Sequence, residues 1–273
     1  MPDHARSLLV GAVAYHPRVV TVWEGFKEYF REGGLDLDYL LFSNYERLVE
    51  ALLDGIVDLA WNTNTAYVSA EARLGGRALI LGMRDVDAGY ASLLVTRTDD
   101  PLSDLRELAG ATLALGSRDS GHAAILPLHF LAAEGVPLER VQLLRFDTDL
   151  GKHGDTGDSE RKVVRAVAEG RARAGAIGDA TWAQFRAERL PETDHLQVAW
   201  RSPTYSHCCF TARPDLDPAL ARRWLELLLR MDYNDPRLRP VMDLEGVKRW
   251  LPGDKAGYAA LQEAMRQQGY LRG

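Results

Sequence analysis

Two stretches far apart in this chain repeat one construction, and that repetition constrains the fold more than any other feature. Arg47-Leu48-Val49-Glu50-Ala51-Leu52-Leu53-Asp54-Gly55 is an amphipathic run that opens on a basic residue and closes on an acidic residue and glycine. Lys162-Val163-Val164-Arg165-Ala166-Val167-Ala168-Glu169-Gly170 has the same form. Each leads into a short apolar run of strand length, Ile56 to Trp61 and Ala172 to Ile177. A helix stopped by glycine and followed at once by a buried strand is one αβ unit. Two such units predict two lobes of similar construction, each with strands alternating with helices.

The punctuation elsewhere fits that plan. Leu8 to Ala14 reads as a buried strand, ended by Tyr15-His16-Pro17. Proline suits the first turn of a helix, and Val19, Trp23, Phe26 and Phe30 then share one face. Gly33-Gly34 stops that helix, and Leu35 to Phe42 forms the second strand. Asn62-Thr63-Asn64-Thr65 follows the third strand and leads into a helix; Arg77 to Met83 and Ala91 to Thr96 read as further strands. The strand Ala111 to Leu115 runs into Gly116-Ser117-Arg118-Asp119-Ser120-Gly121-His122, where a helix carrying Ile125, Leu128 and Ala132 begins. Asp147 to Asp158 is a loop rich in glycine and aspartate, and Ser159-Glu160 caps the helix after it. Pro203 to Cys209 reads as a loop. Three helical runs form the tail, Pro218 to Met231, Pro236 to Glu245 and Gly257 to Gly269, expected to pack on the lobe where the chain began.

A length of 273 residues allows one large or two medium domains. Hydrophobic content of 46% and charged content of 26% place the chain among globular proteins, and a net charge of −6 with no long basic tract argues against nucleic acid as a partner. No run approaches the roughly 20 apolar residues of a membrane span. Met1 to Ser7 leads straight into the first strand with no secretory pattern, so the chain reads as cytoplasmic as given, or periplasmic or cell-surface if a leader has been removed. The two cysteines, Cys208 and Cys209, are adjacent and form no disulfide framework.

Several residues stand where chemistry is done. Ser117, Ser120, Gly121 and His122 lie at a helix start, whose unpaired N–H groups and positive dipole suit an anion; Ser120 would equally serve as an ordinary cap. Tyr15 and His16 follow one strand end and Trp61, Asn62 and Thr63 another, where α/β proteins bind ligands. Asn and Thr supply neutral hydrogen bonds and Trp a flat apolar wall, while Thr63 would also cap a helix. His153 sits with Asp155 and Thr156 on the glycine-bracketed loop. His207-Cys208-Cys209 suits a metal or a nucleophile, or two buried free thiols.

With Val57-Asp58-Leu59-Ala60-Trp61-Asn62, Ser92-Leu93-Leu94-Val95, the turn from Gly116 to Pro127 and Ala199-Trp200-Arg201-Ser202-Pro203 in place, the chain resembles the phosphate/phosphite/phosphonate substrate-binding proteins of ABC transporters over roughly Leu8 to Asp243. That resemblance implies an α/β, two-lobed type II periplasmic-binding-protein-like fold with two interlobe crossover strands. It implies a first lobe of residues 1–95 plus 205–273 and a second of 96–204. It further implies that a small anionic ligand (a phosphonate, phosphate ester or organic acid) sits on Ser120-Gly121-His122, with Tyr15-His16 and Trp61-Asn62-Thr63 completing the pocket. Asp179 falls where such proteins often hold an amine-recognising carboxylate. The partners implied are that ligand and an ABC transporter permease, with no cofactor. The hydroxyl-rich run of the family is thinner here, because Gly121 and His122 follow Ser120, and the loop Gly151 to Gly157 is more elaborate.

A competing expectation is a cytosolic, metal-dependent enzyme on the same fold. His207-Cys208-Cys209 is distantly similar to the cysteine-rich run of thiamine-pyrimidine synthases, which share the fold class. An iron or zinc site would then draw on His207, Cys208 and His16.

Overall fold

The computed structural model describes residues 7–271, so the question of a leader, which turns on Met1 to Arg6, lies outside the described residues. Contacts divide the chain into two compact units, Met1–Ala88 with Ser206–Tyr258, and Gly89–Tyr205 with Ala259–Gly273.

The first unit begins with β1 (Leu8–Val13), α1 (Arg18–Glu32), β2 (Leu37–Phe42), α2 (Tyr45–Leu53), β3 (Leu59–Asn62), α3 (Asn64–Arg73), β4 (Leu79–Ile80) and β5 (Met83–Arg84). The chain leaves along β6 (Ala88–Tyr90). The second unit holds β7 (Ser92–Arg97), β8 (Thr112–Leu115), α4 (Leu126–Ala133), β9 (Gln142–Arg145), α5 (Asp158–Ala168), β10 (Ala174–Gly178), α6 (Asp179–Ala187) and β11 (Leu196–Arg201). The chain returns along β12 (Tyr205–Ser206) and adds β13 (Cys209–Ala212), α7 (Pro218–Leu229), α8 (Arg239–Glu245) and β14 (Trp250–Leu251) to the first unit; α9 (Ala259–Gln267) belongs to the second.

Both units carry a five-stranded sheet of one plan. The first runs β2-β1-β3-β13-β4 and the second β11-β7-β10-β8-β9. In the first, β1 pairs in parallel with β2 and β3, and β13 is antiparallel to β3 and β4. In the second, β8 pairs in parallel with β9 and β10, and β7 is antiparallel to β10 and β11. The repeated helix-strand pieces are α2–β3 and α5–β10, and each strand is the middle one of its sheet. Parallel strands covered on both faces read as continuous apolar runs, which is why β3 and β10 are buried along their whole length.

Aromatic residues fill the first core. Phe26, Phe30, Phe210 and Trp224 are almost wholly buried, and Trp224 stacks on Phe30 with ring centroids 4.3 Å apart. Such a pair adds about 0.5–1.5 kcal/mol beyond its burial. Small and branched residues fill the second: Val163, Val164 and Val167 of α5 pack with Ala114, Val95 and Ile177.

The structure differs from the sequence expectations in five places. The helix expected to be capped by Ser159-Glu160 already starts at Asp158, with Gly157 as its N-cap. Arg77 to Met83 is two short strands, broken at Gly82, whose φ of +128° is open to glycine alone. The segment expected as a loop over Pro203 to Cys209 holds β12 and opens β13, whose Cys-Phe-Thr-Ala is buried throughout. The first boundary falls at 88/89 rather than 95/96, because β7 from Ser92 onward lies in the second sheet. Residues 259–273 belong to the second unit rather than the first, because α9 packs on α4 and Gln268 Nε2 donates to Ile125 O at 2.9 Å. The chain therefore passes between units three times; β6 and β12, on the first two passages, pair with each other.

Candidate functional site

In the second unit the polar side chains converge where β8 meets the next helix. Gly116 ends the strand run; a Cβ there would lie 2.8 Å from the Ala123 Cβ, so only glycine lets the turn close. Ser120 caps the helix, its Oγ accepting from Ala123 N at 3.2 Å. The first turn, Gly121–Ile125, is a π turn, and regular α4 starts only at Leu126. Pro127 explains this. It has no N–H to donate to the carbonyl of Ala123, and its ring crowds that carbonyl. Ala123 O accepts from Gly116 N instead, at 3.0 Å, and Ile125 N reaches back to Ser120 O at 3.0 Å. Wide turns of this kind are frequent at functional sites.

The expected site residues Ser117, Ser120, Gly121 and His122 are all buried here. Ser117 is structural: its Oγ donates to Phe146 O at 3.3 Å and accepts from Asp149 N at 2.8 Å, which ties the following loop to the strand end. That loop is firmly held. Asp149 accepts from Thr156 Oγ1 and, at 2.9 Å, from Ser159 N, and Gly151 N donates to Asp119 at 2.6 Å. His153, with a left-handed φ of +54°, is buried with Nε2 4.0 Å from Asp119. Gly154 lies directly on the helix start: a Cβ there would be 3.0 Å from Ser120 Oγ and 3.1 Å from His122 Nε2.

His122 is paired with Glu160, a residue the sequence reading took only as a helix cap. Both are buried, with His122 Nε2 3.2 Å from Glu160 Oε2. The same carboxylate accepts from Gly178 N at 2.7 Å and from Thr181 Oγ1 at 3.1 Å. Burial alone would pull the imidazole down, but the charge and hydrogen bond of Glu160 outweigh it and hold His122 above its ordinary value. A signal for Glu160 existed: it stands three, four and seven residues before Val163, Val164 and Val167, on the stripe α5 buries. Tyr90 and Tyr205 complete the cluster. Tyr90 lies 5.7 Å from the His122 ring and 5.9 Å from the Tyr205 ring. Ser92 Oγ donates to His122 O at 2.7 Å and shares a 2.8 Å hydrogen bond with Tyr205 Oη. Burial pushes both phenols well above their ordinary values, so both are neutral hydroxyls. Ser159 Oγ is buried without a hydrogen-bond partner among the described residues, beside Gly116. Asp179 is not a free carboxylate: Arg201 Nη2 lies 2.6 Å from it.

In the first unit, Asn62 ends β3 opposite Cys209 and is fully buried, yet neither its Oδ1 nor its Nδ2 has a partner among the described residues. Thr63 caps α3, its Oγ1 accepting from Ala66 N at 3.3 Å. Trp61, expected as a ligand wall, is committed to the aromatic core, 4.6 Å from the Phe210 ring, with the Arg84 guanidinium 5.3 Å from its own. His16 is exposed, with Nδ1 accepting from Arg18 N at 3.1 Å, and Tyr15 is half-buried against the core.

The metal expectation is corrected in its ligand set. His207 and Cys208 meet, with Sγ 3.0 Å from Nδ1, but the third group is Asp87, 3.4 Å from His207, and not His16. Asp87 is already neutralised: half-buried Arg84 binds it through Nε at 2.6 Å and Nη2 at 2.9 Å. Burial would raise that carboxyl, yet Arg84 and His207 hold it far below its usual range. A second cation here would meet the guanidinium head-on. Burial pushes the neighbouring Cys209 thiol up to about 12, which keeps it protonated and unreactive. The enzyme reading finds no support in this segment.

A family model described as the periplasmic substrate-binding protein of phosphonate ABC transporters matches residues 11–258. The chain is 21% identical over 256 residues to a probable ABC transporter phosphite-binding protein, PhnD1, of Prochlorococcus marinus, covering 90% of this chain and 83% of that one. The solved structure of PhnD1 with methylphosphonate superposes with a TM-score of 0.76 at 19% identity, over 97% of this chain and 99% of that one. XAC2383 of Xanthomonas citri, solved with ATP, gives 0.74 at 21% identity over 97% and 99%. The aliphatic sulphonate-binding protein SsuA of Escherichia coli gives 0.63 at 15% identity over 97% and 86%. At these identities the superpositions speak for the fold.

Proposed function

Because the chain belongs to the phosphonate-type periplasmic substrate-binding proteins of ABC transporters, we propose that its ligand is a small phosphorus oxyanion, a phosphonate or phosphite, passed on to a membrane permease. The family's compartment is the periplasm, which favours the periplasmic branch of the sequence expectation over the cytoplasmic one. No helix among the described residues is long and apolar enough to cross a membrane.

Asn62 carries the choice of ligand. A fully buried carboxamide with both ends unpaired is unfavourable by about 1–3 kcal/mol for each lost partner, and it calls for a group that accepts and donates together. A singly protonated phosphonate or phosphite offers both P–O⁻ and O–H; a sulfonate offers acceptors alone. A site that expects a donor rejects a ligand lacking one. In the second unit the Ser120–His122 turn and the Ser159 hydroxyl are the groups we assign to the acid. PhnD1, whose name and bound ligand are phosphite and methylphosphonate, supports the same class.

Calorimetric titration with methylphosphonate, phosphite, phosphate and ethanesulfonate tests this. The phosphorus oxyanions should bind, and ethanesulfonate should bind at least about tenfold more weakly. Equal or tighter sulfonate binding would overturn the choice of ligand class, and silence from all four would overturn the reading as a whole.

A further inference from the structure

The second unit carries a cavity that none of the groups assigned to the oxyanion line and that the proposed function does not use. It has a volume of about 420 Å³ and lies among α4, β9 and the chain from α9 to Tyr270. Leu128, Ala132 and Leu138 give it apolar walls, and Arg145, His129 and Gln267 give it polar ones. That volume suits a small organic molecule, and apolar walls with a few placed polar groups are the usual make-up of such sites.

Arg145 sets the chemistry. Its Nη1 is buried without a hydrogen-bond partner among the described residues. The other cation near this edge, Arg118, is spent on Asp147, with Nη2 2.5 Å from Oδ2. The remaining polar groups are satisfied and fixed: His129 Nδ1 lies 3.1 Å from Gln267 Oε1, and Tyr270 Oη donates to Arg118 O at 2.6 Å. A buried guanidinium nitrogen with nothing to bond is a costly state, and a carboxylate relieves it by charge and geometry together. The apolar walls then call for a short hydrocarbon body on that carboxylate.

We propose that this cavity is a second binding site, separate from the oxyanion site, for a small amphiphilic carboxylate held by Arg145. Its frame touches the π turn: Gln268, on the cavity wall, donates to Ile125 O at 2.9 Å. An occupant therefore rests on the same residues that hold the helix start.

The test is a hexanoate titration of the full chain, followed by amide and side-chain NMR, with hexanamide as the uncharged control. Hexanoate should shift the Arg145 Nε–H, Gln267 and Tyr270 signals saturably at concentrations up to about 10 mM, and Arg145→Gln should weaken binding about tenfold or more. Ala132→Glu, at an exposed helix position, keeps Arg145 and the core intact and should weaken hexanoate by charge repulsion, which covers the case in which Arg145→Gln does not fold. The proposal is overturned if hexanoate gives no saturable shift, if hexanamide matches it, or if both variants bind hexanoate as the wild type does. Because no phosphorus oxyanion is present in the titration, the outcome is independent of the ligand proposed above.

Discussion

Glu160 holds three donors at once, and one of them is the buried imidazole of His122 at the helix start. Glu160→Gln keeps the shape and removes the charge. Breaking a buried ion pair costs about 3 kcal/mol or more, which urea unfolding at pH 6 will read. The pH dependence has a definite sign. The folded-state value of His122 is raised, so its contribution to stability is fully present below the ordinary value of about 6.5 and fades as pH climbs through the folded value. Wild-type stability should fall on this account between pH 6.5 and the folded value, and Glu160→Gln should flatten that slope; an unchanged slope would show that another group sets it. Asn62 makes the opposite kind of prediction. Asn62→Leu removes two unpaired polar atoms from a buried place, so the ligand-free protein should gain about 1–2 kcal/mol while methylphosphonate affinity falls at least about tenfold. Loss of both stability and affinity would mean that ordered water already satisfies the amide.

At the scale of elements, Pro127 decides the form of the turn that Ser120 caps. Pro127→Ala restores an N–H that competes with Gly116 N for the carbonyl of Ala123. The expected outcome is a regular α turn, visible as a new amide at position 127 that is protected from exchange. Overall stability should change by less than about 1 kcal/mol, and oxyanion affinity should drop because the first-turn N–H groups are re-aimed. Unaltered affinity alongside a regularised turn would remove those N–H groups from the site. Much of this scale was legible beforehand. The α2–β3 and α5–β10 pieces showed themselves because glycine stops and apolar strands leave plain marks in sequence. The π turn did not, since Ser120-Gly121-His122 reads like any capped helix and the effect of Pro127 acts through a carbonyl four residues away. β13 was hidden for a related reason. Its strand character comes from burial between β3 and β4, a tertiary fact, while Pro203, Ser206 and the adjacent Cys208 and Cys209 gave it the look of a loop.

At the scale of the whole molecule, what sequence could not show was which residues travel together. Tyr90, Ser92 and Tyr205 join His122 and Glu160 only because the chain passes between the units at 88/89 and 205/206, and nothing local to those residues announces it. The tail is the sharpest case. Its amphipathic pattern promised a helix that buries Leu261, Ala264 and Met265, yet an apolar stripe does not say which core receives it. The structure gives α9 to the second unit, anchored by Gln268 on Ile125 O and Tyr270 on Arg118 O. A chain ending at Tyr258 should therefore lose stability in the second unit selectively. Burying a Leu or Met side chain contributes about 1.5–3 kcal/mol, so removal of Leu261 and Met265 together should cost several kcal/mol. Amide exchange should quicken in β8, α4 and β10 and stay close to wild type in β1, β2 and β3. The reverse pattern, with β1 to β3 opening first, would return the tail to the unit where the chain begins and with it the division expected from sequence.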